Sequence, residues 1–545
     1  MGIFIHLSIS KSVTQEQWEK VYNETLRFLD IFPFAEGQIA PIKGIDVYCL
    51  VRTQERQTPG SWFDTKPRIG WKTCGDYQNM AMAEDFYLPR NLVGEDMFMP
   101  EADDPLPFAC LGVFGDYMHS PLSDRAYHLW GDKTQGEPYH LMVLAIGCLI
   151  QARLGDRAVI YGDITAGQCR RAVEMINEHL DTPIEVPDRC DMERLFCRVA
   201  RLDESDQIKL AAFVDLYLGE KSAAFGEYLR TVFTKDTCEA YWRERFKENT
   251  IGTGGFSQCM KEYLLWGFDL ETLCRVVNFT DRNGIEQYEM FVKAVLDTEI
   301  YVSDKDCSDV LEIDPQREQP YGVATLFARF FFAGARNKKV DAYIPLEIVH
   351  RDLCHGLEGK CDVAAIIHKY FQDMQERQEE LKKKGQDGSE TEAMDDPQSL
   401  NQLINKEMEQ YERDHEKYDI ADRHAFMNYS HGNTILPSLK EYMGKSYNFC
   451  KSLLEEDQFK ELMAESPHSR CEWLAKTNRS IFLRDKDWEK IFSDIESNES
   501  AFSRYYPAMR INITADVQMN LLKAMLLNDD FYACCQELGN SMPTE

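Results

Sequence analysis

Acidic residues and histidines in the front third of the chain are the first group whose side chains could carry chemistry. Asp163 follows an apolar stretch, residues 158–161, and precedes the start of a helix. Ligands and metals bind at such strand ends in α/β proteins, where helix amides face anions. Asp163, Asp116, His119 and His128 are therefore candidate catalytic residues. The alternative is a Gly-Asp turn in which the Asp163 carboxylate caps the helix.

A glycine-rich loop, residues 251–257, forms the second group. Its amides could hold a phosphate, which makes Gly252, Gly254 and Gly255 candidate cofactor-binding residues. The loop lacks the Gly-Lys-Ser/Thr ending of a P-loop, and no strong strand precedes it, so the dinucleotide pattern fails as well. The alternative is a flexible joint between two helices. No cofactor is expected.

Cys354, His355, Cys361 and His368 are the third group, with side chains of the kinds that bind metals. Zinc takes four such ligands, usually from closely spaced cysteine pairs. Cys361 and His368 are seven residues apart and share a helical face, but the Cys-x6-Cys-x6-His spacing matches no recognised pattern. The spacing favours core thiols beside a surface histidine and predicts that no metal is bound.

The elements that must position the first group are a helix, a strand and a second helix. Residues 141–150 are apolar on every side, which is typical of a buried helix, and Gly155 is placed to end it. Residues 158–161 are predicted to form a short buried strand. Thr165 and Gln168 have the spacing of a capping box at the start of the second helix.

The predicted secondary structure changes near residue 188, from mixed strands and helices to helices. Aliphatic side chains occupy every second position of residues 3–9, which predicts a half-buried strand. Residues 45–51 predict a second strand. Residues 52–136 are predicted to be loop-rich, with scattered aromatic side chains folded over a sheet. Helical periodicity dominates from residue 188 onward. The fold class is therefore α+β: a mixed N-terminal α/β unit followed by a predominantly α-helical C-terminal region.

The chain has 545 residues, too many for one hydrophobic core. The pattern predicts four consecutive regions: an α+β domain at 1–187, a helical domain at 188–373, an acidic linker at 374–398 and a helical C-terminal domain at 399–545. The linker is rich in Glu, Lys, Gln and Asp and cannot supply a core. We expect it to be exposed and to be the first site of limited proteolysis.

Charge and cysteine usage limit the partners and the compartment. The formal net charge is −31, which opposes broad binding to nucleic acids or anionic membranes. The 17 cysteines show no disulfide spacing, as expected in a reducing cytosol. The longest apolar runs are too short to cross a bilayer. These observations predict a cytoplasmic protein without membrane or nucleic-acid partners, although acidity is also typical of plain solubility.

Three functional hypotheses follow from the sequence. The strong acidity and the failure of every catalytic motif favour a non-catalytic protein-interaction protein with an acidic face for a basic partner. An immunity protein, an antitoxin-like protein or a defence-system component would fit this description. The alternative is an enzyme with a dispersed active site in the N-terminal α+β domain, because such sites leave no spacing signature. A nucleotide sensor that uses the glycine-rich loop is the third.

Overall fold

The computed structural model describes residues 2–58, 68–92, 104–114, 126–281, 283–301, 342–385, 417–511 and 516–542. The strands in these ranges are β1 (Phe4–Ser10), β2 (Phe34–Ile42), β3 (Ile45–Arg52), β4 (Arg56–Thr58), β5 (Arg68–Asp76), β6 (Ala81–Pro89), β7 (Ala126–Lys133) and β8 (Ala158–Gly162).

The helices in the same ranges fall into a front and a rear series. The front series is α1 (Gln15–Leu26), α2 (Phe28–Ile31), α3 (Leu111–Phe114), α4 (Tyr139–Leu154), α5 (Ala166–Asn177), α6 (Met192–Ala200), α7 (Asp206–Leu216), α8 (Ala223–Val232), α9 (Lys235–Lys247), α10 (Gly254–Leu265), α11 (Leu270–Val276), α12 (Tyr288–Leu296), α13 (Leu346–Gly356) and α14 (Val363–Gly385). The rear series is α15 (Pro437–Ser452), α16 (Asp457–Met463), α17 (Pro467–Thr477), α18 (Asp485–Ser497), α19 (Phe502–Arg510), α20 (Asp516–Leu527) and α21 (Asp529–Ser541). None of these described helices has the length and apolarity needed to span a bilayer.

The contacts group the chain into two compact units. Unit 1 combines Met1–Thr25 with Arg90–Leu403, and unit 2 combines Leu26–Pro89 with Ile404–Glu545. The units therefore interleave along the chain, whereas the sequence predicts consecutive regions. Contact grouping does not test where independently folding domains begin and end, so the predicted limits stay a prediction. The predicted linker begins inside α14, and its residues after Gly385 lie outside the described ranges.

Unit 1 contains a three-stranded antiparallel sheet in the order β7-β1-β8. The alternation in β1 separates its two faces: Ile5, Leu7 and Ile9 are fully buried. The helices α4 and α5 pack against each other, and α4 packs against β8. The helix α4 is buried over most of its circumference, as its uniformly apolar sequence predicts.

The ends of α4 and α5 confirm the predicted boundaries. Gly155 ends α4 with a positive φ of 61°, which a glycine adopts without strain. Thr165 caps α5: its Oγ1 accepts from the Gln168 amide at 3.1 Å, and Gln168 Oε1 accepts from the Thr165 amide at 3.0 Å. This is the reciprocal capping box that the sequence indicates.

The helices from α6 to α14 form the larger core of unit 1. Aromatic side chains dominate its centre, including Trp242, whose ring centroid lies 4.9 Å from that of Trp266 and 5.1 Å from that of Tyr263. The short 3-10 helix Leu106–Cys110 joins this core to the sheet, since it contacts both β8 and α7. Val159 of β8 belongs to the same core.

Unit 2 is built on a five-stranded antiparallel sheet. Its strands run in the order β3-β2-β5-β4, with β6 paired to β5. Lys43 and Gly44, both with positive φ, make the two-residue turn of the β2–β3 hairpin. The helices α15 to α21 share one hydrophobic core with β2, β3 and β5, and the Leu50 amide donates to the Leu483 carbonyl at 2.8 Å.

The structure confirms the α+β class and the helical rear of the chain, but the prediction of a loop-rich region at 52–136 is wrong. The described part of that region contains β4, β5, β6 and β7. Glycines interrupt the alternation of β5 for a structural reason. A Cβ on Gly75 would lie 2.0 Å from the Ala81 carbonyl oxygen, so the close approach of β6 requires glycine there.

Candidate functional site

The second face of the unit 1 sheet carries a row of polar and aromatic side chains. We call His6, Ser8, His128 and Tyr161 the polar sheet face. Strand register brings them together, because Ser8 lies opposite His128 and His6 lies opposite Tyr161. In a β-strand, the residues next to Ile5, Leu7 and Ile9 point to the opposite side.

Ser8 is the centre of this row. Its Oγ lies 2.9 Å from His128 Nδ1 and 3.3 Å from the Tyr161 hydroxyl. Ser8 is fully buried, whereas His128 is exposed and Tyr161 is half-buried. Phe108 of the 3-10 helix packs edge-on against His128 with a centroid distance of 4.7 Å. The contacts therefore connect a half-buried tyrosine to an exposed imidazole through one hydroxyl group.

His6 extends the row towards Asp163. Its ring stacks on Tyr161 at 4.8 Å and on Phe4 at 5.7 Å. Burial lowers the pKa of His6, and the negative charges of Asp163 and Asp132 oppose that change. The ring is held by aromatic contacts rather than by a carboxylate partner.

Asp163 lies just beyond the end of β8, as the sequence predicts. Its Oδ2 accepts a hydrogen bond from the Phe4 amide at 2.8 Å, so the carboxylate ties the end of β8 to the start of β1. The cap of α5 is Thr165, not Asp163. The interpretation of Asp163 as the helix cap is therefore wrong, while a structural role at the strand end is directly observed.

Burial also sets the protonation of the remaining groups. It lowers the pKa of His128, and the nearby His6 and Lys11 lower it further. It raises the pKa of Tyr161, against the effects of Ser8 and Arg189. At neutral pH the imidazole of His128 is therefore mostly uncharged, and the tyrosine keeps its proton.

This arrangement can move a proton but does not offer an accessible nucleophile. In the tautomer with hydrogen on Nε2, Ser8 donates to His128 Nδ1 and Tyr161 can donate to Ser8. His128 can then exchange a proton with a molecule at its exposed edge. Ser8 cannot attack a substrate where it stands, because its side chain is covered.

Two of the four predicted catalytic residues are thus placed on this sheet, Asp163 and His128. Asp116 and His119 lie outside the described residues. Sequence reasoning missed His6, Ser8 and Tyr161 as site residues. The alternation of β1 shows that His6 and Ser8 share a face, but it does not show which distant strand supplies the partner.

The glycine-rich loop connects α9 to α10, so a helix precedes it. Thr253 caps α10 by accepting from the Phe256 amide at 3.3 Å. Gly252 has a positive φ of 85°, and a Cβ on Gly255 would lie 2.2 Å from Asn249 Oδ1. The positive φ accounts for Gly252 without a phosphate, and Gly255 packs against the Asn249 side chain. The candidate cofactor-binding role of Gly252, Gly254 and Gly255 has no further support from the geometry.

Cys354 and Cys361 lie at the junction of α13 and α14, and His368 is exposed on α14. Cys354 Sγ is 3.8 Å from Nε2 of His350, one turn earlier on the same helix. No group of three or more His, Cys, Asp or Glu side chains in the described ranges could hold a metal ion. The absence of zinc stays a prediction, which metal analysis of the purified protein tests.

Comparisons with protein-family models, with curated proteins and with solved structures found no match to this chain.

Proposed function

We propose that this chain is a cytoplasmic, non-catalytic protein-interaction protein whose acidic surface binds a partner with a basic face. The observation that carries the proposal is the net charge of −31, from 92 acidic and 61 basic residues. Charge of one sign steers a complementary protein and accelerates association. An immunity-type protein, an antitoxin-like protein or a defence-system component would use such a surface.

A local concentration of charge in unit 2 supports this proposal. Residues 455–465, which we call the acidic segment, contain five carboxylates and one lysine. Asp457, Glu461 and Glu465 are spaced at four-residue intervals and are exposed. Asp457 and Glu461 are one turn apart on α16, and like charges at that spacing repel each other, so a bound cation would relieve a cost present in the free protein.

The contacts within the acidic segment show which carboxylates can be changed safely. Glu456 accepts from the Tyr506 hydroxyl at 2.8 Å and therefore supports the fold. Asp457 is paired with Lys460 at 3.2 Å, but both side chains are well exposed, so this pair adds little stability. Glu455, Asp457, Glu461 and Glu465 can be neutralised while Glu456 is left unchanged.

The test begins with pull-downs from lysate of the source cell at low and high ionic strength. Association kinetics are then measured on each retained protein. For a basic partner we expect association to slow as salt rises, with a smaller change in dissociation. The variant Glu455→Gln, Asp457→Asn, Glu461→Gln, Glu465→Gln should lower the low-salt association rate by ~tenfold.

A matched control removes the same number of exposed charges from unit 1: Glu193→Gln, Asp203→Asn, Glu204→Gln and Asp206→Asn. We expect this control to associate nearly as fast as the parent. Retained partners that are neutral or acidic, with association indifferent to salt, would contradict the proposal. Equal slowing in both variants would place the effect in total charge rather than in the acidic segment.

The hydrogen-bonded polar sheet face favours a second candidate, an enzyme that transfers a proton through His128. The test incubates the purified protein with a small-molecule extract and follows depletion by mass spectrometry. Turnover should fall by ~100-fold in Ser8→Ala and His128→Gln if the relay operates. The control is Ser10→Ala, which removes a buried hydroxyl of the same strand that bonds Ser12 at 2.8 Å. Equal turnover in all variants would exclude this relay.

A further inference from the structure

A groove of about 250 Å³ opens in unit 1 at the C-terminal end of α4, away from the polar sheet face. Its walls are the last turns of α4, the segment 183–188 and Arg194 of α6. Pro183, Ile184 and Pro187 give it an apolar side, and Gln151 and Ala152 lie on the α4 side. The volume suits a small molecule or one side chain of a partner, since drug-sized pockets are larger.

The buried carboxamide of Gln151 forms part of this wall. It is only 3% exposed, and its Oε1 accepts from the Ile160 amide at 2.9 Å. Ile160 lies in β8, the edge strand of its sheet, so this contact satisfies an amide that no neighbouring strand reaches. The same contact fixes the orientation of the carboxamide, because the oxygen must face Ile160.

Gln151 lines the groove, and its contact with Ile160 leaves the amide nitrogen uncommitted. It makes no hydrogen bond to any described residue, and it is not among the fully enclosed polar atoms without a partner. Because this nitrogen is not fully enclosed, water can accept from it in the free protein, and a ligand oxygen would replace that water. The groove thus presents a fixed, uncommitted hydrogen-bond donor.

The charged groups of the wall are already paired. Arg153 makes a bidentate contact with Glu24, with both distances at 2.9 Å, and Arg194 contacts Glu185 at 3.0 Å. Asp156 is paired with Arg201 at 2.7 Å.

Asp188 is likewise paired, with Arg198 at 3.2 Å. An added charge would have to compete with one of these existing pairs. A neutral ligand avoids that cost and still has carboxylate oxygens of Asp156 and Asp188 nearby as acceptors for its own N–H groups.

We infer that this groove binds a neutral amide group, with the ligand carbonyl oxygen accepting from Gln151 Nε2 and its apolar part against Ile184. A primary carboxamide carries both the acceptor and the N–H donors that the wall requires. The source of the amide is either a free small molecule or an Asn or Gln side chain of a polypeptide. This site is independent of the acidic segment and of the partner proposed above.

The test uses the full chain and three probes of equal size: acetamide, acetate and methylammonium. Saturation-transfer NMR reports binding of each, at matched ionic strength. Acetamide should bind, and acetate should bind ~tenfold more weakly because Asp156 and Glu185 flank the groove. Methylammonium should also bind more weakly than acetamide, because it has no oxygen to accept from Gln151 Nε2. An acetamide signal that is absent, or matched by methylammonium, would overturn the inference.

Two variants locate the binding. Gln151→Glu keeps the oxygen for Ile160 and replaces the donor with a second acceptor, so acetamide affinity should fall by ~tenfold or more. Ala152→Leu fills the groove from an exposed helical position and should do the same with little risk to the fold. The control is Ala364→Leu, at an exposed position of α14. Unchanged acetamide binding in Ala152→Leu, or in a folded Gln151→Glu protein, would refute the site.

A final arm separates the two sources of the amide. The capped tripeptide Gly-Asn-Gly is compared with acetamide by the same measurement. Binding at least ~tenfold tighter than acetamide supports a polypeptide ligand, because flanking backbone adds contacts beyond the amide. Equal or weaker binding of the tripeptide supports a free small molecule.

Discussion

The two units bury ionisable groups of opposite kinds. In unit 1, His140 at the start of α4 is fully buried, and its Nδ1 lies 2.7 Å from Thr134 Oγ1. Burial lowers its pKa to about 4. In unit 2, Glu36 of β2 is buried beside Arg56. Burial raises its pKa to about 7, against the positive charges of Arg56 and Lys72.

Both shifts have the same physical cause, the loss of water around a charged form. Their consequences for stability are opposite, because one group becomes charged by gaining a proton and the other by losing one. Acid therefore weakens unit 1 through His140, and base weakens unit 2 through Glu36. The two units should respond to pH in opposite directions around neutrality.

The largest expected effect contrasts a buried position in the unit 1 sheet with an exposed position in the unit 2 sheet. Ile160→Asp should destabilise unit 1 by about 4 kcal/mol, because an unpaired carboxylate would be buried in β8. Ile39→Asp, at a 69% exposed position of β2, should change unit 2 by less than about 1 kcal/mol. Urea unfolding of the full chain, with hydrogen-exchange pulse labelling of β8 and β2 peptides, measures both. Parent-like stability of Ile160→Asp would show that β8 is not a core strand.

The next effect is the acid sensitivity of unit 1. The folded pKa of His140 lies below the unfolded value of 6.5, so the unfolded chain takes up a proton first as pH falls. The contribution of neutral His140 to the free energy of unfolding is present above pH 6.5 and is lost towards pH 4, for a total of about 3 kcal/mol. His140→Gln should remove that part of the pH slope in β8 peptides. The control is His179→Gln at an exposed position, which should keep the pH slope. Loss of the slope in both variants would mean that His140 is not its specific source.

Base sensitivity of unit 2 should be somewhat smaller. The folded pKa of Glu36 lies above the unfolded value of 4.5, so the unfolded chain loses its proton first as pH rises. The contribution is full below pH 4.5 and is lost as pH rises through 7, by about 2 kcal/mol after allowance for partly exposed Arg56. Glu36→Gln should flatten this slope in β2 peptides. The exposed Asp46→Asn should not, and an unchanged slope in Glu36→Gln would contradict the assignment.

The smallest effect compares helix caps. Thr165 caps α5 from a buried position with a reciprocal contact, whereas Ser466 caps α17 from an exposed one by accepting from the Ser469 amide at 3.1 Å. Thr165→Ala should cost unit 1 about 1.5 kcal/mol and Ser466→Ala should cost unit 2 about 0.5 kcal/mol. The same unfolding experiment gives both values. A reversed order would mean that solvent exposure does not weaken the cap.

Local signals explain which parts of the fold could be predicted from the sequence. The alternation of β1, the apolar run of α4 and the pair Thr165–Gln168 each lie within a few residues, and the structure confirms all three. The strand β5 was missed because Gly70 and Gly75 interrupt its pattern. Those glycines are required by backbone contacts with a partner strand, which no local window contains.

The candidate site could be predicted less completely than the fold, because its contacts join distant parts of the chain. Asp163 was predicted from its place after a strand, but the contact between Ser8 and His128 spans 120 residues of sequence. It depends on the register of β1 against β7, including the irregularity between Leu7 and Ser8. The free donor of Gln151 could not be predicted either. Its orientation depends on a hydrogen bond between α4 and the Ile160 amide of β8, which are separate elements.

The interleaved order of the two units has a consequence for synthesis on the ribosome. The strands β2, β3 and β5 emerge early, but the helices α15 to α21 that share their core come from the end of the chain. More than 300 residues separate them, which at typical translation rates is a wait of ~15–60 s. During that interval the apolar face of a completed hairpin has no native cover. Nascent chains arrested before residue 420 should therefore recruit chaperones that bind exposed apolar strands.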